Sequence, residues 1–208
     1  MNQLTKIPSK QQAHEILVEA ERMNPGDWVQ HSHVAASAAE AIAAHHPNLQ
    51  PDSAYVLGLL HDIGRRESHS MRHVLTGYRF LQRLGYDDAA RIALTHAFPI
   101  TDVYSIFGEW NCPMEEVQFV QEYLDQVEYN DYDRLIQLCD ALSLSTGFCL
   151  IEKRLVDVAI RRGIDDQAAL RMRAYLDLKN YFDEKIKRNV YSILPGVVEN
   201  TFGFSFKE

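Results

Sequence analysis

The sequence of 208 residues lacks several features that mark whole classes of protein. Its three cysteines, Cys112, Cys139 and Cys149, are isolated and form no C-x-x-C pair, so we expect neither a disulfide framework nor a cysteine zinc site. A net charge of −8 without a basic stripe argues against binding of nucleic acid polymers. No apolar run approaches the roughly 18–20 residues that span a bilayer, and the N-terminus lacks the layout of a signal peptide. We therefore expect a cytoplasmic protein with no membrane association.

The sequence also has little strand-like alternation, whereas apolar residues recur at a spacing of about 3.6 through most of the chain. Ser9 is expected to cap a first helix, which the Asn-Pro-Gly-Asp segment at 24–27 ends. Further helices are expected at about 28–46, 51–64, 70–84, 87–96, 114–127, 131–146, 148–162 and 166–188. Residues 99–113 and the aromatic tail, with Pro195, Gly196 and Gly203, are expected to be irregular. The pattern predicts one all-α domain over residues 1–208, with a core at about 25–150 and a C-terminal helical extension.

Two strong metal ligands, His61 and Asp62, follow the apolar helical run LGLL at 57–60. Gly64 is expected to take the left-handed conformation that ends a helix, so that both side chains lie in the last turn and point to one place. Gly58 would let another helix approach closely. Taken alone, the dipeptide is better explained as a helix end with a stabilising histidine and an exposed aspartate, and only the surrounding residues favour a metal site.

His31 and Asp140 lie on helical faces that are otherwise apolar. His31 is therefore expected to point inward, whereas His33, rotated by about 200°, is expected to face solvent. Asp140 shares a face with Ile136 and Leu144, and an isolated buried carboxylate is too costly to leave without a metal or a cationic partner. A hydrogen-bonded core histidine and a buried salt bridge are the respective alternatives.

His73 and His96 also point inward by their spacing, and His69, one turn earlier, could replace His73. The candidate metal ligands are His31, His61, Asp62, His73, His96 and Asp140. Such a set of nitrogen and oxygen donors suits Fe, Mn, Ni or Zn, and six side chains are enough for one or two divalent ions. Asp62 is the expected bridge between two ions, because its partners lie on both sides of it in sequence.

Three stretches carry a resemblance to a known family. They are His31-Ser32 with Ala35 and Ala39, the string GLLHDIGR at 58–65, and Asp140 in QLCDALS. Together they resemble the H…HD…D pattern of the HD superfamily (HDIG type) of metal-dependent phosphohydrolases. His73 in H-x-x-x-G and His96 in LTHAF are similar to the histidines that extended variants add. The resemblance implies an all-α HD-domain helical bundle that cleaves a phosphate ester or anhydride of a nucleotide-like or other small phosphorylated substrate.

One departure concerns the residues after the HDIG string, where many relatives have lysine and this chain has Arg65-Arg66. Asp62, which bridges the ions or orients the water, and Arg65 are the expected catalytic residues. Arg65, Arg66 and Lys153, or Arg154 in place of Lys153, are expected to bind phosphate, because arginine offers paired donors to phosphoryl oxygens. Solvated surface charge is the alternative interpretation of these four cations.

Two further functions remain open from the sequence. The same four histidines and two aspartates are similar to those of HD-fold di-iron oxygenases, which cleave C–C or C–P bonds. Other HD-like domains have lost their ligands and act as binding modules.

Two segments are candidates for selectivity and association. The loop at 98–110 contains Asp102, Tyr104, Phe107 and Trp110, which could stack on a base or sugar or else close over the core. The helix from Asp166 onward could form a homodimer surface or merely cover the core. Its apolar residues are Leu170, Tyr175, Leu178 and Phe182.

Overall fold

Helices form most of the computed structural model, which describes residue 4 and residues 6–204. The α-helices are α1 (Lys10–Met23), α2 (Asp27–Ala43), α3 (Pro51–Leu60), α4 (His73–Arg83), α5 (Asp87–Thr95), α6 (Met114–Gln126), α7 (Asp131–Ala141), α8 (Ile151–Arg162), α9 (Ala168–Ile186) and α10 (Val197–Phe202). Short 3-10 helices cover Ile63–Arg66 and Val190–Ile193. Two short antiparallel strands, β1 (Ser143–Leu144) and β2 (Gly147–Phe148), form a hairpin. The all-α prediction is confirmed, and within the described residues none of the helices has the length and apolar character needed to cross a membrane.

Side-chain caps fix the beginnings of two helices. The Ser9 hydroxyl accepts a hydrogen bond from the backbone N–H of Gln12, and the Gln12 side chain accepts one from the backbone of Ser9, as the capping prediction requires. Asn130 caps α7 in the same way with Asp133. Each cap satisfies N–H groups that have no partner within the helix, which fixes the residue at which the helix starts.

The conformation predicted for Gly64 is wrong. Its φ is not positive; α3 ends at Leu60, and the chain continues into the 3-10 helix. Glycine is required here for space, because a Cβ would lie 1.9 Å from the carbonyl oxygen of His73 and 2.5 Å from the backbone nitrogen of Gly77. The residue lets the turn after His61 and Asp62 lie directly against α4.

Two other segments differ from the predicted pattern. The helix expected over 131–146 ends at Ala141, and the chain turns into the hairpin, where Gly147 has φ of +136°. The tail, expected to be irregular, contains the second 3-10 helix and α10, which lies between Gly196 and Gly203. Residues 205–208 of that tail lie outside the described residues. Strands of two residues are too short to give the alternation by which a strand is recognised in sequence.

Close packing of α2 against α3 brings the first two site elements together. A Cβ on Gly58 would lie 2.8 Å from the Cα of Ala36, which confirms that this glycine permits a close approach. On the other side of the core, α9 buries Tyr175, Leu178 and Phe182, whereas Leu170 is exposed. The side chains of Tyr175, Leu178 and Phe182 therefore pack against the core.

Candidate metal centre

Four imidazoles and two carboxylates meet in the interior of the bundle. They come from α2 (His31), the turn after α3 (His61 and Asp62), the first residue of α4 (His73), the residue after α5 (His96) and the last turn of α7 (Asp140). The histidines and Asp62 are buried, and the Asp140 side chain is 24% exposed. The structure thus brings together all six candidates that the sequence singled out.

Asp62 lies at the middle of one half of this cluster. Its Oδ1 atom is 3.0 Å from Nε2 of His73 and 3.5 Å from Nε2 of His96. Its Oδ2 atom is 3.9 Å from Nε2 of His61 and accepts a hydrogen bond of 2.5 Å from Nε of Arg65. The two oxygens of one carboxylate therefore face different imidazoles.

His31 and Asp140 form the other half. Nε2 of His31 lies 3.0 Å from Oδ1 of Asp140 and 3.3 Å from Nε2 of His61. One ligand atom from each of His31, His61 and Asp140 lies within 4.8 Å of the others, and the same holds for His61, Asp62 and His96. The cluster therefore offers two adjacent groups of ligands that share His61.

The second nitrogen of each ring determines which atom faces the centre. In each of the four clustered histidines, the Nδ1 atom donates a hydrogen bond to a backbone carbonyl oxygen, which can only accept. The acceptors are Ser143 for His31 (3.1 Å), Gly58 for His61 (2.7 Å), Ser70 for His73 (2.8 Å) and Ala93 for His96 (3.0 Å). In a neutral ring the Nε2 atom then carries a lone pair, and this arrangement is typical of metal-binding histidines.

Burial keeps at least two of these rings neutral near pH 7. It lowers the pKa of His61 to about 4, against the opposing charge of Asp62. Burial and the nearby Arg65 guanidinium also lower the pKa of His73. Burial alone would raise the pKa of Asp62, but the charge of Arg65 and the neighbouring imidazoles outweigh it and hold that pKa well below its usual range.

A divalent cation fits these donors. Nε2 of His73 lies 3.3 Å from Nε2 of His96, and neutral rings oriented in this way place two lone pairs against each other. The buried Oδ1 of Asp62 has no hydrogen-bond donor among the described residues. Ligand bonds of about 2.1 Å give donor separations of about 3.0–3.4 Å, which match the spacings here. Imidazole and carboxylate donors suit Fe, Mn, Ni or Zn and do not distinguish among them.

A polar network that the sequence reasoning missed holds α5 and α7 in register. The buried Asp133 of α7 binds Arg91 at 2.6 Å and Thr95 at 2.9 Å, both on α5. Gln137 donates hydrogen bonds of 3.1 Å to the carbonyl oxygens of Thr95 and Phe98. His96 and Asp140 are thereby fixed relative to each other. The spacing of Asp133, Gln137 and Asp140, four and three residues apart, places all three on one helical face and is the signal that could have revealed the network.

A model of the HD domain family matches residues 28–145, more than half of the chain. The chain belongs to the HD domain family. The matched residues include all six clustered ligands, and the match ends within the hairpin, so that α8, α9 and α10 lie beyond it. Neither the curated proteins nor the solved structures contain a match.

In this HD domain five of the six clustered side chains, all but His61, line a cleft of about 690 Å³. Arg65 lines the cleft beside Asp62, and so does Arg154, the alternative to Lys153 in the sequence prediction. Arg161 and Arg162, at the end of α8, line it as well and were not predicted. The sequence could have revealed Arg161, because it follows Arg154 by seven residues, and this interval places both side chains on one face of the helix.

The structure does not bring the two other predicted phosphate ligands to this cleft. The Arg66 guanidinium packs over the ring of Phe80, with 4.1 Å from its Cζ atom to the ring centroid. The Lys153 ammonium binds Asp157 at 3.0 Å and remains half exposed. Neither cation is among the described residues that line the cleft, because each occupies a face of its helix that points elsewhere.

The loop at 98–110 contributes one aromatic side chain to the cleft, that of Phe107, which stacks on Tyr175 of α9. Trp110 instead stacks on Phe98 and donates a hydrogen bond of 2.8 Å to the carbonyl oxygen of Val103. Tyr104 is 62% exposed. The sequence left open whether this loop closes over the core or contacts a ligand. Trp110 packs within the protein, whereas Phe107 borders the space open to a ligand.

Two of the histidines considered in the sequence, His69 and His33, lie outside the cluster. His69 is exposed, and its Nε2 atom lies 3.1 Å from the side-chain nitrogen of Asn24, so it does not take the place of His73. His33 is half-buried rather than solvent-facing, because its ring stacks on that of His14 with 5.6 Å between the centroids.

Proposed function

We propose that this HD domain is a metal-dependent phosphohydrolase that cleaves a phosphate ester or anhydride of a small substrate. One observation carries the proposal. Three of the four inward imidazoles and both carboxylates line one cleft with Arg65, whose guanidinium is suited to phosphoryl oxygens. An N/O metal centre next to the Arg65 guanidinium matches the charge of a phosphoryl group in its transition state.

The six clustered side chains would hold one or two divalent ions. His31, His61 and Asp140 form the first ligand group, and His61, Asp62 and His96 form the second, which His73 adjoins at 3.0 Å from Asp62. The two oxygens of Asp62 face His61 on one side and His73 with His96 on the other, which supports the bridging role proposed for it. A bound divalent cation supplies a water of lowered pKa and neutralises charge on the phosphoryl oxygens.

The protein's own groups would orient the reacting parts. Arg65 holds Asp62 through its Nε atom and lines the cleft, so it positions the carboxylate and borders the phosphoryl site. The Nδ1 hydrogen bonds keep the imidazoles in the tautomer with a free Nε2. Buried side chains around the ligands limit the access of bulk water, which strengthens every charge interaction at the centre.

The proposal is tested with protein loaded in turn with Mn, Fe(II), Ni or Zn. The assay measures phosphate release from p-nitrophenyl phosphate, bis(p-nitrophenyl) phosphate and a nucleotide panel, and elemental analysis measures the bound metal. We expect metal-dependent turnover that falls by about 100-fold or more in Asp62→Asn, together with the metal content. Asparagine keeps the size of the side chain and an acceptor for Arg65.

Asp177→Ala is the control, because Asp177 is exposed on α9 and does not line the cleft; it should leave both quantities unchanged. Full turnover in Asp62→Asn with undiminished metal content would refute the proposed site.

Oxygen uptake by the reduced iron form, without phosphate release from the panel, would instead favour an oxygenase that uses the same four-histidine set. Protein that binds none of the four metals would favour a non-catalytic binding module.

A further inference from the structure

The arginines of α8 form a positive stripe along the cleft. Arg154 and Arg161 are seven residues apart, which places them on one face of the helix with a rise of about 10 Å between them. Both line the cleft that contains the candidate metal ligands, and Arg162 joins them at the end of the helix. Burial, together with the charges of Arg154 and Arg162, lowers the pKa of Arg161, so the three cations act on one another.

No described carboxylate forms an ion pair with these three arginines, although several line the same cleft. Asp157 of α8 is bound by Lys153 at 3.0 Å. Asp62 is bound by Arg65, and Asp140 faces His31. The remaining carboxylate of the cleft, Asp27, has no ion pair with any of them. The three arginines therefore have no ion-pair partner among the described residues, although the charge of Asp157 partly offsets that of its neighbours at Arg161.

Helix stability does not account for this placement. Arg161 and Arg162 lie in the last turn of α8, where a cation interacts favourably with the helix dipole. Arg154 lies in the first turn, where the dipole disfavours a cation. The dipole therefore does not stabilise Arg154 at this position, and its place on the cleft wall leaves its guanidinium able to bind an anion.

Apolar side chains also line the cleft. Leu155 and Val158 of α8 line it together with the Phe107–Tyr175 stack. Burial raises the pKa of Tyr175, so its hydroxyl stays a neutral donor. A ligand reaching from the metal centre to the stripe would thus place a largely apolar body against these walls.

We propose that the substrate carries two anionic groups joined by an apolar body, a phosphoryl group at the metal centre and a second phosphate or similar anion at Arg154 and Arg161. The inference rests on the proposed function for the first group only. The second group raises affinity without taking part in bond cleavage, because it binds away from the reacting phosphorus.

The test compares two probes on the Mn-loaded protein, hexyl phosphate and hexane-1,6-diyl bisphosphate, with the propane and butane bisphosphates covering shorter spans. Calorimetric binding and phosphate release are measured for wild type, Arg154→Gln, Arg161→Gln and the double variant. We expect at least one bisphosphate to bind about tenfold more tightly than hexyl phosphate, and the double variant to abolish the difference. Binding and hydrolysis of hexyl phosphate should stay within about twofold of wild type.

Arg173→Gln is the matched control, since Arg173 is exposed on α9 and does not line the cleft; the preference for the bisphosphate should persist in it. Equal affinity of wild type for hexyl phosphate and every bisphosphate would overturn the second subsite, even if all were hydrolysed. Tighter binding of a bisphosphate that depends on Arg154 and Arg161, without hydrolysis of any probe, would support the subsite and count against the phosphohydrolase.

Discussion

Gly64 lies where the turn after His61 and Asp62 packs directly against the backbone of α4. The carbonyl oxygen of His73 and the backbone nitrogen of Gly77 occupy the space that a side chain would need, so no rotamer change can relieve the contact. The hydroxyl of Thr76 also donates a hydrogen bond of 3.0 Å to the carbonyl oxygen of Gly64. A methyl group here would separate Asp62 from His73.

We expect Gly64→Ala to lower the free energy of unfolding by about 3 kcal/mol, because the backbone must shift to accommodate the methyl group. Urea denaturation measures the loss. Gly108→Ala is the control, since its Cβ would approach only the side chain of Met71, at 3.1 Å, which can move; its cost should stay below about 1 kcal/mol. Equal midpoints for the two variants would contradict this account of Gly64.

Individual site residues differ in how far the sequence reveals them. His31 and Asp140 were recognisable because a polar side chain on an apolar helical face is unusual and must have a partner. Arg66 was not separable from Arg65 by the same reasoning, because both follow the candidate metal ligands on a short turn. Which of two adjacent arginines points into the cleft depends on the 3-10 helix, and the sequence did not predict that helix.

At the scale of helices, α4 and α6 are joined through one carboxylate. Glu116 of α6 accepts hydrogen bonds from Nε of Arg72 and Nη1 of Arg79, both at 2.7 Å. These bonds outweigh burial and lower the pKa of Glu116 from 4.5 to about 2. Because the folded pKa lies below the unfolded value, the stabilisation is complete above pH 4.5 and is lost as the pH falls through about 2.

Glu116→Gln should therefore lower the free energy of unfolding by about 1 kcal/mol at pH 7, a modest value because both arginines are half exposed. The difference from wild type should shrink as the pH is lowered from 5 towards 2. Denaturant titrations across that range provide the measurement, with Glu115→Gln as the control on the exposed side of the same helical turn. A difference that stays constant with pH would show that the charge of Glu116 is not the cause.

The helices themselves were predictable, and the segments between them were less so. Amphipathic spacing located α1, α2, α4 to α6, α8 and α9 within a few residues, because each buries one face against one of two apolar clusters. The hairpin at 143–148 was missed, since its strands are held by contacts with α2 and with the tail rather than by a pattern of their own. The hairpin nevertheless orients His31 through the Ser143 carbonyl oxygen.

For the molecule as a whole, the candidate centre joins segments that lie far apart in sequence. Its ligands come from α2, α4, α7 and the residues that follow α3 and α5, so an ion bound there would cross-link most of the bundle. An ion that binds only the folded protein, present at 100 times its dissociation constant, raises the free energy of unfolding by about 2.7 kcal/mol.

Removal of the metal with a chelator should therefore lower Tm by roughly 5–10 °C, given about 2–4 °C per kcal/mol for a chain of this size. Differential scanning calorimetry with and without excess Mn measures the shift. Asp62→Asn should show a smaller shift, whereas Asp177→Ala should behave as wild type. The same Tm with and without metal in wild type would mean that the ion does not hold these helices together.

The hydrogen bonds at Nδ1 also bear on the order in which the centre forms during folding. His61, His73 and His96 each bond to a carbonyl three residues earlier, so these rings are oriented as soon as their own turns exist. The acceptor for His31 lies 112 residues further along the chain. Contacts that close long loops carry a larger entropic cost and form later. We therefore expect the half around Asp62, His73 and His96 to be assembled early, and the half around His31 and Asp140 to be completed only when the hairpin docks on α2.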